Sequence, residues 1–293
     1  MDQKVTVVGT GRMGSALAAA LFHRGFATTV WNRTAAKAAP LARLGLRVAS
    51  SLLEAVTMSD VIIVSILNYS SGRELLEQPE IESALRGKIL VQLTTGTPDE
   101  AREMESWARS HGIEYLDGAI VSYPMNIGKP EATILYSGAE QLFNRAKPVL
   151  LALGGNTVLV GSGIGQASAL DIAVMAAFCV NTLFGFLYGY IVCESENLPV
   201  GNYMQFVRSL MPAVEAALSD MCGKLQQKDY RGDQASLEAW SVAPRELVGW
   251  CREHGVDHSM ITPQLAFFER AINAGKGQAD FAYFYEVLKR GSN

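Results

Sequence analysis

Lys4-Val5-Thr6-Val7-Val8-Gly9-Thr10-Gly11-Arg12-Met13-Gly14 runs from a β-branched strand signal into a G-x-G-x-x-G pattern, and the amphipathic stretch Met13–Arg24 follows at once. A glycine turn between a strand and a helix, inside a unit of about 30 residues, has the physics of a dinucleotide site. Gly9 permits the tight turn. Gly11 has no Cβ, so backbone can approach a pyrophosphate, and Gly14 lets the helix pack closely on the sheet. The helix N-terminus then offers unpaired N–H groups and partial positive charge to the phosphates. Gly9, Gly11, Arg12, Met13 and Gly14 are therefore assigned to the cofactor, against the simpler possibility of a glycine turn that binds nothing.

About 20 residues on, where an NAD site places a carboxylate for the ribose 2′-OH, the chain reads Trp31-Asn32-Arg33-Thr34 with Lys37 a turn later. A carboxylate there would repel a 2′-phosphate. Arg33 can instead pair with phosphate in bidentate fashion and stack on adenine. Asn32, Thr34 and Lys37 complete such a pocket, and the alternative is a solvated helix start. The expectation is NADPH.

Outward from this unit, strands are expected at Lys4–Val8, Ala27–Trp31, Val61–Ser65, Lys88–Leu93, Glu114–Asp117, Thr133–Ser137 and Thr157–Val160. Helical stretches between them include Thr34–Leu44, Ser51–Thr57, Pro98–His111 and Ala139–Ala152. That alternation argues for a parallel sheet covered on both faces. After Gly165 the pattern becomes helical, with starts at Pro212, Ser236 and an N-cap Thr262 before Pro263, and stops at Gly255 and Gly275. The boundary therefore falls near Gly161–Gly165, giving a dinucleotide-binding domain over 1–162 and a helical domain over 163–293.

Composition excludes several function classes. The chain has 293 residues, 49% hydrophobic and 18% charged, which is globular. A net charge of −4 without Lys/Arg clusters gives no nucleic-acid footprint. Cys179, Cys193, Cys222 and Cys251 form no C-x-x-C pair, which argues for a reducing compartment and against structural zinc. Met1-Asp2-Gln3-Lys4 leads into a run too short for a leader, so the expected location is cytoplasmic. From Ile172 to Cys193 there is no charge, enough to raise a membrane span. Asn181, Thr182 and the glycines interrupt the run, and no basic flank orients it. The preferred reading is a long helix buried in a dimer or between domains.

Gly9-x-Gly11-x-Met13-Gly14 followed by Trp31-Asn32-Arg33-Thr34-x-x-Lys37 resembles the imine reductase fingerprint. Leu93-Thr94-Thr95-Gly96-Thr97-Pro98, Tyr115-Leu116-Asp117-Gly118-Ala119-Ile120, Ile127-Gly128-x-Pro130 and Leu135-Tyr136-Ser137-Gly138 resemble that family's next segments. Gly161-x-Gly163-x-Gly165-x-Ala167-x-x-x-Asp171-x-Ala173 resembles its second signature. The resemblance implies an α/β Rossmann N-terminal domain, a long inter-domain helix and an all-α C-terminal domain. It also implies a domain-swapped homodimer whose second domain completes the partner's site, and reduction of cyclic imines or iminium ions by NADPH. Two departures stand out. Gly163 replaces a usual acidic residue, and Cys179 stands where many members carry Tyr or Trp, removing an aromatic wall from the substrate pocket.

The related β-hydroxyacid dehydrogenases use a lysine on the inter-domain helix. No lysine lies between Lys147 and Lys224, and Asp117-Gly118-Ala119-Ile120-Val121-Ser122-Tyr123-Pro124 lacks their glycine-rich carboxylate loop. Alcohol oxidation needs a base to take the hydroxyl proton. Such a dehydrogenase with another base remains one alternative, and a non-enzymatic NADPH sensor another. Asp171 is the catalytic candidate, either protonating the imine nitrogen or stabilising the iminium cation, unless it is only a helix-start carboxylate. These roles pull its pKa in opposite directions. Tyr188 and Tyr190 can donate instead, or pack in a core. Thr95, at the C-terminal edge of the sheet, is assigned to cofactor and substrate, with a helix cap as the competing role. Leu67, with Asn68, is assigned to the adenosine end. By resemblance, Cys179, Trp240 and Met260 line the substrate pocket. His23, His111, His254 and His258 lack metal-ligand spacing, so no metal site is expected.

Overall fold

The computed structural model describes residues 3–289. Met1 and Asp2, used in the leader reading, and the tail of the helical domain at 290–293 lie outside them. The described chain divides into two compact units at Leu187 and Tyr188.

The first unit is a sheet of eight strands in the order β3-β2-β1-β4-β5-β6-β7-β8. These are β1 (Lys4–Val8), β2 (Ala27–Trp31), β3 (Arg47–Val48), β4 (Val61–Val64), β5 (Ile89–Gln92), β6 (Glu114–Val121), β7 (Thr133–Ser137) and β8 (Asn156–Gly161). The helices α1 (Arg12–His23), α2 (Ala39–Arg43), α3 (Leu52–Thr57), α4 (Tyr69–Leu76), α5 (Pro79–Leu85), α6 (Pro98–Ser110) and α7 (Glu140–Leu153) connect them. Strands buried on both faces read as continuous apolar runs. Val5, Val7, Val61, Ile63 and Val91 pack under α1 and α7, while Val8, Ile62, Val64 and Leu90 pack under α3 to α6.

The sheet is not the wholly parallel one expected from sequence. β7 runs antiparallel to β6 and parallel to β8. Residues 122–132 carry only the short 3₁₀ turn Pro124–Asn126, not a crossover helix, so the chain turns straight back. β6 also continues to Val121, four residues beyond its expected end, because that extension pairs with β7.

Gly165, at φ +88°, opens α8 (Gln166–Asp171). A π-helical stretch (Ile172–Cys179) and α9 (Val180–Ser195) continue it as one 30-residue helix. The helix is long and apolar enough to cross a membrane by length and composition, and only 6% of its most apolar window is buried. The expected burial is therefore absent in the single chain. The side chains of Phe178, Leu183, Phe184 and Leu187 are open to solvent there.

The second unit holds α10 (Val200–Gln227), α11 (Leu237–Trp240), α12 (Val242–Glu253), α13 (Thr262–Ala271) and α14 (Phe284–Lys289). Leu237, Phe268, Ala271 and Phe284 form one core; Tyr188 joins Val248, Cys251 and Ile261 in another. Ser236 caps α11 through Ala239 N–H, and Gly255 (φ +68°) and Gly275 (φ +74°) break helices where expected. Pro212 starts nothing. It lies inside α10, where the helix-forming residues on either side outweigh one missing N–H. Ile261, not Thr262, is the N-cap of α13; the Thr262 hydroxyl donates to the His258 carbonyl instead.

Candidate active site

The loops after β1, β2, β4 and β5 leave the same edge of the sheet, the C-terminal edge of its parallel strands, where ligands bind in such folds. Gly9 sits at φ +99°, and a Cβ there would strike the Ser65 carbonyl oxygen and Ile66. A Cβ on Gly14 would strike the Gly9 carbonyl oxygen. These two glycines are required by packing alone. Gly11 is different: a Cβ built on it meets no heavy atom within 4 Å. Its lack of a side chain keeps open a space that the protein does not fill. Gly11 caps α1 without a side-chain hydrogen bond and no acidic residue stands in the first turn, so the helix's first N–H groups face that space unopposed. Arg12 is exposed beside it, while Met13 packs partly into the core.

Asn32 does structural work at the end of β2. Its Oδ1 accepts from Thr10 N–H at 3.0 Å and its Nδ2 donates to the Thr34 carbonyl at 2.9 Å. It thus ties the glycine turn to the β2 loop. Arg33, Thr34 and Lys37 are exposed, and neither cation has an ion-pair partner among the described residues. A groove of 580 Å³ beside them is lined by Trp31, Asn32, Arg33, Ala49, Leu53 and Gln78, among others. Open glycine backbone, unopposed helix N–H groups and unpaired cations fit a phosphorylated dinucleotide on chemical grounds.

Leu67 is 86% exposed beyond β4, whereas Asn68 caps α4 by accepting from Ser71 N–H. At the end of β5, Thr94 is buried and accepts from Ile66 N–H, and Thr97 with Glu100 forms the capping box of α6. The cap role weighed for Thr95 thus belongs to Thr97, and Thr95 is left exposed at the sheet edge.

Asp171, on α8, is only 7% exposed and accepts no hydrogen bond from any described residue. Burial, and then the neighbouring charge of Asp117, raise its carboxyl above the usual range. Asp117 is fully buried on β6. It accepts from Ser168 Oγ at 2.9 Å, Ser168 N at 3.3 Å, Ser137 Oγ at 3.0 Å and Tyr69 OH at 3.4 Å. Burial first, then Asp117, push the Tyr69 phenol far up. The sequence reading missed this cluster. Nothing local marks Asp117, since its partners lie 20, 48 and 51 positions away.

Cys179 lies two turns after Asp171, at the end of the π-helical stretch, and is partly buried. Trp240 and Met260 belong to the second unit. Trp240 is half exposed and meets Phe281 edge-on, and Met260 is exposed before α13. Tyr188 takes the packing role. His111 caps α6 through its Nδ1 and Trp107 carbonyl, and His254 stacks on Trp250. Among the described residues no group of three His, Cys, Asp or Glu is placed to hold a metal.

The chain matches the family model of the NAD binding domain of 6-phosphogluconate dehydrogenase over residues 4–161. Residues 163–290 match the model of the NADPH-dependent reductive aminase-like C-terminal domain. It is 32% identical to an NADPH-dependent reductive aminase of Aspergillus oryzae, covering 100% of this chain and 99% of the relative. Among solved structures it is similar to an imine reductase from Myxococcus stipitatus in complex with NADP+, with 43% identity, 97% and 99% coverage and a TM-score of 0.92. A reductive aminase from Aspergillus terreus in complex with NADPH and ethyl levulinate gives 30% identity, 98% and 100% coverage and a TM-score of 0.91.

Proposed function

Because this chain belongs to the imine reductase and reductive aminase family, we propose that it is an NADPH-dependent oxidoreductase that reduces cyclic imines or iminium ions to amines by direct hydride transfer. Gly9, Gly11 and Gly14 with the start of α1, flanked by Arg12 and Met13, hold the pyrophosphate. Arg33, Thr34 and Lys37 hold the 2′-phosphate, Asn32 fixes the loop that carries them, and Leu67 covers the adenosine end. Bound there, NADPH supplies the hydride for the electrophilic carbon of the C=N bond. Thr95 contacts cofactor and substrate. Cys179, Trp240 and Met260 line the substrate pocket, and the small Cys179 leaves room for a bulky imine.

One observation carries the acid role. Asp171 is a buried carboxyl without a hydrogen-bond partner, raised by burial and by Asp117, on a helix without lysine. A carboxyl raised by burial holds its proton to higher pH than a solvated one, which favours donation to the imine nitrogen over standing by as an anion. Asp171 gives its proton to nitrogen as carbon accepts hydride, and then regains a proton from water. Replacing Asp171 by Ala is expected to lower turnover on a cyclic imine at least about tenfold while the Kd for NADPH stays put. Undiminished turnover would remove Asp171 from the mechanism.

The reading extends to a cytoplasmic homodimer, with the nucleotide domain at 1–162, the helical domain at 163–293 and no membrane partner. Support for the dimer is the uncovered apolar helix, since an exposed patch of that kind marks an interaction surface. Sedimentation equilibrium tests it: a monomer at micromolar concentration would refute the dimer.

A further inference from the structure

Asp117 has no place in the chemistry described above, yet few side chains in the molecule are so fully engaged. Four donors converge on its two oxygens. The Ser137 hydroxyl accepts from Ala167 N–H at 3.2 Å, so its own proton is directed at Asp117. The Ser168 hydroxyl and backbone N–H and the Tyr69 phenol supply the others. Donors converging on both oxygens suit a carboxylate, which only accepts.

The helix sets where that charge lies. Ser168 and Asp171 are three residues apart on α8, which puts them on one helix face, one above the other. Both are buried, and Ser168 is bonded to Asp117 through side chain and backbone. The Ser168 tether thus turns the Asp171 face of α8 toward β6. Gly165 keeps the helix close to the start of α6, where a Cβ would lie 2.8 Å from the Pro98 carbonyl oxygen.

We propose that Asp117 is a positioning residue for the reduction: a carboxylate gripped by Ser137, Ser168 and Tyr69 that, through Ser168, sets the Asp171 face of α8 and stands beside the Asp171 carboxyl as it passes its proton to the imine nitrogen. This rests on Asp171 being the donor. The other groups around α8 offer Asp171 no opposite charge. β6 contributes Tyr115 besides Asp117, α4 contributes Tyr69, and β7 contributes Ser137 and Tyr136. Arg102 of α6 is already paired with Asp99. Asp171 is accordingly raised by burial and by Asp117, with no cation to lower it.

The test is the pH profile of kcat/KM on one cyclic imine, in wild type and Asp117→Asn. A donor limb falls as pH rises through the pKa of Asp171. Asp117→Asn removes the fixed charge, so that limb should move about one pH unit toward acid and the rate at alkaline pH should fall about tenfold. An N-methyl iminium salt, which needs no proton, should show no such limb and no such displacement in either protein. A limb that stays in place in Asp117→Asn, while Asp171→Ala abolishes turnover, overturns the proposal and leaves the donor reading standing. Full turnover in Asp171→Ala sinks both. Should Asp117→Asn fail to fold, ¹³C-carboxyl titration of the wild type, with the Asp171 resonance assigned by its loss in Asp171→Asn, gives the answer. A two-step curve coupled to Asp117 supports the proposal, and a single independent step refutes it.

Discussion

Replacing Gly11 by Ala separates binding from folding at the glycine turn. Gly11 sits at φ −66°, ψ −174°, which alanine adopts without strain, and the added methyl meets no heavy atom within 4 Å. Substitution of glycine at a compatible position restricts the unfolded chain and stabilises by about 0.4–1 kcal/mol. Alanine is a poorer N-cap than glycine by a similar amount, so at about 2–4 °C per kcal/mol the cofactor-free variant should melt within about 4 °C of wild type. The same methyl fills the space reserved for the pyrophosphate. Losing one charge-assisted backbone contact removes about 1.5–3 kcal/mol, so the Kd for NADPH should rise by about ten- to a hundredfold. Gly14→Ala is the contrast, because its methyl meets the Gly9 carbonyl oxygen, which cannot step aside. Overpacking there costs about 1–3 kcal/mol, and the melting temperature should drop before any cofactor is added. The assays are thermal unfolding without ligand and isothermal titration with NADPH. Wild-type affinity in Gly11→Ala would refute the cradle, and a large loss of cofactor-free stability would refute the open space.

Three further outcomes are expected. The double variant Arg33→Ser, Lys37→Ser should raise the KM for NADPH about ten- to a hundredfold with little change for NADH, because both cations are unpaired until a 2′-phosphate arrives; equal losses for both cofactors would argue against a phosphate pocket. Asp171 has a native pKa above its unfolded value, so its contribution favours the fold at acid pH and is lost as pH rises through the native pKa. Asp171→Asn should therefore raise the melting temperature at pH 8 but not near pH 4, and an equal effect at both would contradict that sign. In the second unit, Lys224 holds Asp280 at 2.7 Å, Asp233 at 2.8 Å and Asp220 at 2.9 Å. Lys224→Met should lower stability by about 3 kcal/mol in urea titrations, since Asp280 is left buried without its partner.

What could be read before folding was local. β1, β2 and β7 have the ends expected of them because β-branched runs stop at glycine, polar or charged residues in the chain itself. Ser236 and Gly255 mark helix ends by their own side-chain and backbone chemistry. What depended on partners was hidden. The helix α4 went unmarked because Asn68 was read for ligand lining and not for its cap, and α5 starts at Pro79 with no side-chain cap to announce it. The antiparallel return of β7 depends on how eleven residues fold back, which no periodicity encodes. Asn32 was assigned to the cofactor pocket from sequence, but its clamp on Thr10 requires two strands side by side. Asp117 acquires its role only when β6, β7, α4 and α8 converge. The long apolar helix was legible as apolar, but its exposure in a single chain was not.

The central claim is tested most directly by mixing the purified protein with NADPH and a panel of cyclic imines and following absorbance of the reduced nicotinamide, with NADP+ and a panel of hydroxy acids as the opposing arm. The account predicts imine-dependent oxidation of NADPH with amine as product and no reduction of NADP+ by the alcohols. Silence on every imine together with alcohol-driven formation of NADPH would contradict it.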